Sequence, residues 1–151
     1  MEEELVDQVD AAAEVVVMEL FAVMDVGTIA FNLPSPSPEL NLVEAAAPFR
    51  SLSIYVAIAD AQILASAKDQ TPLARPSTHD LFVATLARLR CDVVAVRITN
   101  YDEGIFYGEI ELMTPEGSMT MDSRVSDGVV IALRTGAPIL CAEKVLNFFN
   151  P

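Results

Sequence analysis

The polar residues that could do chemistry gather in two short segments of the chain. The first runs from Arg75 to Asp80 and contains His79, the one histidine of the sequence, and the second runs from Asp122 to Asp127. A histidine beside a helix start can act as a general base or a metal ligand, or it can hold a neighbouring loop through a hydrogen bond. With a single histidine, RNA cleavage by paired imidazoles and zinc sites of the HExxH type are excluded.

The second segment contains groups that could bind either a cation or an anion. Asp122 and Asp127 could bind Mg²⁺ or Mn²⁺, for which carboxylate oxygens are suitable ligands. Arg124 could donate two hydrogen bonds to a phosphate, and Ser126 is predicted to cap the N-terminus of a helix, which favours anions. The structural alternative is that Ser126 and Asp127 only cap the helix while Arg124 pairs with Asp122.

A further carboxylate, Glu109, lies with Glu111 on one face of a predicted strand. Together with Asp122 on the next strand, these side chains could bind a divalent cation. Acidic residues on the solvent-facing side of an antiparallel sheet produce the same pattern without any metal, so both interpretations stay open.

The elements that must position these segments follow from hydrophobic periodicity, which predicts a single α+β domain with a largely antiparallel sheet and three to four helices. Ser77 and Asp80 have the spacing of a capping box, so the first segment should open a helix. The second segment leads into a helix that is apolar on nearly all sides and is therefore predicted to be central and buried. The predicted strands span residues 15–25, 28–33, 51–57, 92–99, 105–113, 118–123 and 138–141, and the predicted helices span 59–68, 77–90, 126–135 and 143–149.

Charge is distributed unevenly along the chain, whose formal net charge is −13. Residues 1–12 form an acidic lead that we expect to be flexible. Residues 13–149 are predicted to form the domain, with a Pro/Ser-containing loop inserted at 34–48. All Lys and Arg residues lie from Arg50 onwards and form no basic stripe, so a basic nucleic-acid surface is not predicted.

Sequence features of cofactor-binding, secreted and membrane proteins are missing. Glycine-rich phosphate-binding loops are absent, so no organic cofactor is expected. Cys91 and Cys141 are predicted to be small buried hydrophobic residues. No apolar run is long enough to span a bilayer, and the first residues are acidic, unlike a secretion signal; we therefore expect a cytoplasmic protein without a membrane partner.

Four ordered blocks of the sequence resemble the bifunctional nuclease domain family of bacteria and plants. Residues 75–81 read RPSTHDL, where the family has RPxTHDL, and residues 52–61, 104–110 and 122–139 resemble its other blocks in the same order. The resemblance covers residues 50–146. It implies hydrolysis of DNA and RNA phosphodiesters, nucleic acid as a partner, and association into dimers or larger oligomers.

The resemblance and the chemistry together give a candidate site. The predicted catalytic residues are His79, Asp80, Asp122 and Asp127, the predicted substrate-binding residues are Arg75, Arg124 and Ser126, and the predicted ligands of Mg²⁺ or Mn²⁺ are Asp122, Asp127 and Glu109. Two functions fit these residues. One is a metal-assisted nuclease, and the other is a non-enzymatic interaction or regulatory module in which the same motifs cap and brace helices.

Overall fold

A seven-stranded sheet carries four helices in the part of the chain that the computed structural model describes, residues 19–151. The strand order is β3-β2-β1-β7-β4-β5-β6, and every pair is antiparallel except β4 with β7. The prediction of an α+β domain with a largely antiparallel sheet is confirmed. The elements are β1 (Phe21–Ala30), β2 (Glu39–Glu44), β3 (Ser51–Tyr55), α1 (Ile58–Lys68), α2 (Thr78–Arg88), β4 (Asp92–Asp102), β5 (Ile105–Thr114), β6 (Gly117–Ser123), α3 (Val125–Thr135), β7 (Ile139–Ala142) and α4 (Glu143–Phe149).

The first strand corrects a sequence prediction, because 15–25 and 28–33 are not two strands around a turn. Over the described residues the chain forms one strand, β1, whose register with β2 shifts between Val26 and Ile29. Gly27 lies in this irregular stretch, where an added Cβ would approach Asn41 Oδ1 to 2.5 Å. A glycine therefore permits a β-bulge close to the next strand. Residues 15–18 and the acidic lead 1–12 lie outside the described residues.

The prediction that residues 34–48 are a loop is wrong for their second half. Glu39–Glu44 forms β2, which pairs with both β1 and β3. Leu40 and Leu42 are fully buried on one face of this strand, and this burial stabilises pairing once the prolines end at Pro38.

Helix α3 is the buried central helix that the sequence predicts, and it packs against α1, α2, β4 and β5. It begins one residue earlier than expected, with Arg124 at the N-cap position. Ser126 is buried in the first turn and its side chain does not cap the helix, which corrects that prediction. Gly136 ends the helix with a φ of 76°, a conformation that glycine adopts without strain.

Helix α2 begins with the predicted capping box. The Asp80 backbone N–H donates to Ser77 Oγ at 3.1 Å, and the Ser77 backbone N–H donates to Asp80 Oδ2 at 2.9 Å. The helix ends at Arg88, two residues before the predicted end, and Arg90 has a positive φ of 57°. The capping box fixes the first turn of α2, which contains His79.

Replacement of Ser77 by alanine should destabilise the protein by about 1 kcal/mol, since an N-cap hydrogen bond to the helix backbone is lost. Urea unfolding monitored by circular dichroism measures this change. Thr78→Ala in the same turn is the matched control, because the Thr78 side chain is exposed and makes no hydrogen bond with the described residues. Equal destabilisation by both substitutions would contradict the account of the cap.

A cluster of charges joins the β2–β3 hairpin to α4. Arg50 contacts Glu44 at 2.6 Å and Glu143 at 2.7 Å, and it also donates to Asn147 Oδ1 at 2.8 Å. Hydrogen bonds from the Arg50 side chain lower the pKa of Glu44 from an ordinary 4.5 to about 2. The carboxylate of Glu44 is therefore ionised over most of the acidic range.

This low pKa predicts how the Glu44–Arg50 pair contributes to stability as pH changes. Because folding depresses the pKa of Glu44, the stabilisation is present above the ordinary pKa of a glutamate and is lost as pH falls toward 2. Glu44→Gln should therefore be less stable than wild type at neutral pH, and the difference should narrow below about pH 4. Urea midpoints across this pH range test it, and a difference independent of pH would contradict it.

The two cysteines differ in burial. Cys141 is fully buried, and burial raises its pKa to about 12, whereas Cys91 is only half-buried, contrary to expectation. Cys91 follows the end of α2, where the chain turns toward β4. Among residues 19–151, no helix is both long and apolar enough to cross a membrane.

Candidate functional site

The two polar segments meet where the first turns of α2 and α3 approach one another. His79 Nε2 lies 2.7 Å from Asp127 Oδ1, although the two residues are 48 positions apart. The side chain of His79 is 14% exposed and that of Asp127 is 29% exposed. The two segments therefore meet through this pair.

Arg124 extends this contact to the surface and to a third helix. Its Nε donates to Asp127 Oδ2 at 2.7 Å and its Nη2 donates to Asp127 Oδ1 at 2.9 Å. The same guanidinium contacts Asp60 of α1, with Nη1 to Oδ2 at 3.2 Å and Nη2 to Oδ1 at 3.5 Å. Side chains of α1, α2 and α3 thus form one hydrogen-bonded chain that ends at a 62% exposed arginine.

Asp60 is the site residue that the sequence predictions missed. Its partner Arg124 is 64 positions away, so no local pattern connects the two. The available signal was an acidic residue inside the block 52–61, which resembles a family motif.

Asp80, which the sequence predicts to be catalytic, makes contacts within the chain. Its carboxylate accepts the Ser77 backbone N–H and lies 3.1 Å from Arg134 Nε, near the end of α3. The Arg134 Nε–H is not aligned for a hydrogen bond, so this contact is an ion pair only. The Ser77 backbone hydrogen bond is the main cause that lowers the pKa of Asp80. Asp80 therefore braces α2 against α3.

The predicted metal ligands do not converge. Asp122 pairs in register with Glu109, whereas Met121 pairs with Ile110, which faces the helices. Because side chains alternate along a strand, Asp122 and Glu109 point to the opposite face of the sheet from Asp127. Glu109 lies 3.6 Å from Arg97 on that face. In the described part of the chain, no three His, Cys, Asp or Glu side chains form a group that could bind a metal ion.

Two open clefts flank Arg124. The larger has a volume of about 670 Å³ and the smaller about 290 Å³, and Arg124 lines both. Arg75, which was predicted to bind substrate, is exposed in the loop before α2 and lines neither of these two clefts. The larger cleft is lined by Thr78, His79, Phe82, Ile110, Met121, Asp122, Ser123, Arg124, Asp127 and Ile131, and the smaller by Ile54, Tyr55, Val56, Ala57, Asp60, Gly104, Ile105, Phe106, Arg124, Val125 and Ser126. Asp122 borders the larger cleft because β6 is the edge strand of the sheet, although alternation along β6 directs its side chain to the other face.

Electrostatics fix the charge state of the Asp127 carboxylate. Burial raises its pKa, but hydrogen bonds from Arg124 and His79 outweigh burial, and the net pKa lies below its usual value. The hydrogen bonds to Asp127 raise the pKa of Arg124, so this ion pair persists at neutral pH. An ionised Asp127 beside Nε2 favours the tautomer of a neutral His79 with its proton on Nε2.

Two buried polar atoms on the wall of the larger cleft have no hydrogen-bond partner within residues 19–151. They are His79 Nδ1 and Ser123 Oγ. A lone pair on Nδ1 and a hydroxyl on Ser123 could each accept or donate a proton. His79 and Ser123 could therefore exchange protons on the same cleft wall where Arg124 could bind an anion.

Similarity to known proteins shows the family of the chain. The family model described as "Bifunctional nuclease domain" matches residues 42–149, which includes part of the segment predicted to be an inserted loop. Two uncharacterised proteins of Mycobacterium tuberculosis, from strains CDC 1551 / Oshkosh and ATCC 25618 / H37Rv, are each 35% identical over 113 residues. These matches cover 75% of this chain and 66% of each relative. The chain belongs to the bifunctional nuclease domain family.

Proposed function

We propose that this chain hydrolyses phosphodiester bonds of nucleic acid at the larger cleft. One observation carries the proposal: His79 of the first polar segment forms a hydrogen-bonded set with Asp127 and Arg124 of the second on the wall of an open cleft. Membership of a family named for nucleases supports the same reaction class.

Arg124 is the group that contacts the scissile phosphate in this proposal. Its two bonds to Asp127 are short, whereas its two bonds to Asp60 are longer, at 3.2 and 3.5 Å. The guanidinium is 62% exposed, so a phosphate can contact it beside Asp60 while Asp127 keeps it in place. A positively charged donor at this position stabilises the negative charge that grows on the phosphoryl oxygens.

His79 is the general base in this proposal. Asp127 keeps the proton on Nε2, so the Nδ1 lone pair can accept a proton from a water molecule. The resulting hydroxide attacks phosphorus, the bond to the leaving oxygen breaks, and solvent protonates that oxygen on the opposite side. Nδ1 is buried, so this role requires the cleft wall to move when substrate enters.

Assistance by Mg²⁺ or Mn²⁺ stays a prediction. The three predicted ligands lie on two faces of the sheet, and the steps above use no metal ion. A cation that is bound mainly by substrate phosphates would need only one or two carboxylates. Parallel assays with EDTA, Mg²⁺ and Mn²⁺ separate these cases.

The test is cleavage of labelled single-stranded RNA and DNA by fractions collected across a size-exclusion peak. The proposal predicts activity that follows the absorbance of the chain in at least one of the three cation conditions. Activity that elutes apart from the chain, or none in any condition, would overturn it.

A second function, an interaction or regulatory module, is favoured by a specific observation. Both Asp127 oxygens accept hydrogen bonds within the chain, and Asp80 is likewise engaged by the capping box and Arg134. On this reading the signature residues brace three helices. Loss of stability in Asp127→Asn together with an absence of hydrolysis by wild type would support the module.

A further inference from the structure

The smaller cleft has an exposed aromatic side chain on its wall. Tyr55 is the last residue of β3 and is 64% exposed, and Ile105 at the start of β5 is 56% exposed. Phe106 lines the same cleft. A large aromatic ring that remains open to solvent offers a flat surface on which another planar group can stack.

Charge is nearly balanced in this cleft. Arg124 and Asp60 are the charged side chains among its lining residues, and they pair with one another. Neutral, apolar walls fit the face of a nucleobase better than they fit a second phosphate. The positive charge of the cleft, the Arg124 guanidinium, lies at the boundary with the larger cleft.

The two clefts meet at Arg124, and this geometry matches the repeating pattern of a nucleic-acid strand. Each phosphate of a nucleic acid lies between two nucleosides, and Arg124 lies between two clefts. We propose that the smaller cleft is a nucleobase subsite, in which a base of single-stranded nucleic acid stacks on Tyr55 while the adjacent phosphate contacts Arg124. This inference rests on the proposed function and adds the site that selects its substrate.

A single strand is required by the stacking geometry. In a duplex, the faces of a base are covered by its neighbours, so a protein ring can reach a base only after it has been unstacked. A single strand presents its bases without that cost, and an aromatic ring accepts any base because each has a π-face. The subsite should therefore discriminate single from double strands more strongly than it discriminates sequence.

The experiment measures binding separately from cleavage. Fluorescence anisotropy with a labelled oligothymidylate that has phosphorothioate linkages, in EDTA, gives the dissociation constant of wild type, Tyr55→Ala and Tyr55→Phe. Tyr107→Ala is the matched control, because Tyr107 is also exposed but lines neither cleft. An abasic strand of the same length reports the contribution of the backbone alone.

The subsite predicts that Tyr55→Ala weakens binding of oligothymidylate about 5- to 100-fold. Tyr55→Phe and Tyr107→Ala should bind like wild type, and the abasic strand should bind wild type and Tyr55→Ala equally. Equal affinity of wild type and Tyr55→Ala for oligothymidylate overturns the subsite but leaves the proposed hydrolysis standing. Absence of wild-type binding overturns the subsite, while the cleavage assay in its three cation conditions decides the proposed reaction.

Discussion

Replacement of His79 by alanine should lower the rate of phosphodiester hydrolysis by about 100- to 10,000-fold, the usual contribution of a general base. The chain has no second histidine that could take over the role. The imidazole of His79 lies in the wall of the larger cleft with Nε2 bonded to Asp127, so its removal leaves a space of matching shape. Added imidazole should therefore restore part of the lost rate.

Chemical rescue separates catalysis from folding in this prediction. If His79 only braces α2 against α3, His79→Ala would be destabilised but added imidazole would not raise its rate. Initial rates at several imidazole concentrations, beside urea unfolding of the same protein, make the distinction. A wild-type rate of hydrolysis by His79→Ala would show that His79 is not the general base.

Replacement of Arg124 by alanine should lower hydrolysis by about 100- to 1,000-fold, because the group that stabilises charge on the phosphoryl oxygens is lost. The side chain is 62% exposed and joins the two clefts. Arg124→Lys should recover only a small part of the rate, since an ammonium group cannot bind Asp127 and a phosphate in the same planar geometry.

Arg88→Ala is the control for net charge. Arg88 lies in the last turn of α2 and is exposed, and it lines neither cleft. Steady-state kinetics should show wild-type values for this variant. A similar loss in Arg88→Ala and Arg124→Ala would mean that general electrostatic attraction, and not a defined phosphate contact, explains the effect.

The family blocks and the local helix signals could be predicted from the sequence because they depend on neighbouring residues. The capping box at Ser77 and the buried character of α3 follow from spacing and composition within a few residues. The strand β2 was missed because the prolines before it indicate a loop, whereas its two buried leucines stabilise it only when both neighbouring strands are present.

Most residues of the candidate site could be predicted from the sequence, but their hydrogen-bond partners could not. The sequence suggested that Arg124 pairs with Asp122, but Arg124 bonds to Asp127 three positions away and to Asp60 on another helix. Alternation along β6 places Asp122 on the far side of the sheet, which a register prediction for a seven-residue edge strand could not fix in advance. Long-range partners are set by the packing of α1 and α2 against α3.

The most direct measurement is the ratio of hydrolysis rates of Asp122→Ala and Asp127→Ala, which each remove one carboxylate from the same segment. The account predicts that Asp127→Ala is at least about 100-fold slower than Asp122→Ala, because the Asp127 carboxylate orients both His79 and Arg124, whereas Asp122 bonds to neither. Equal rates for the two variants, or a loss confined to Asp122→Ala, would contradict it.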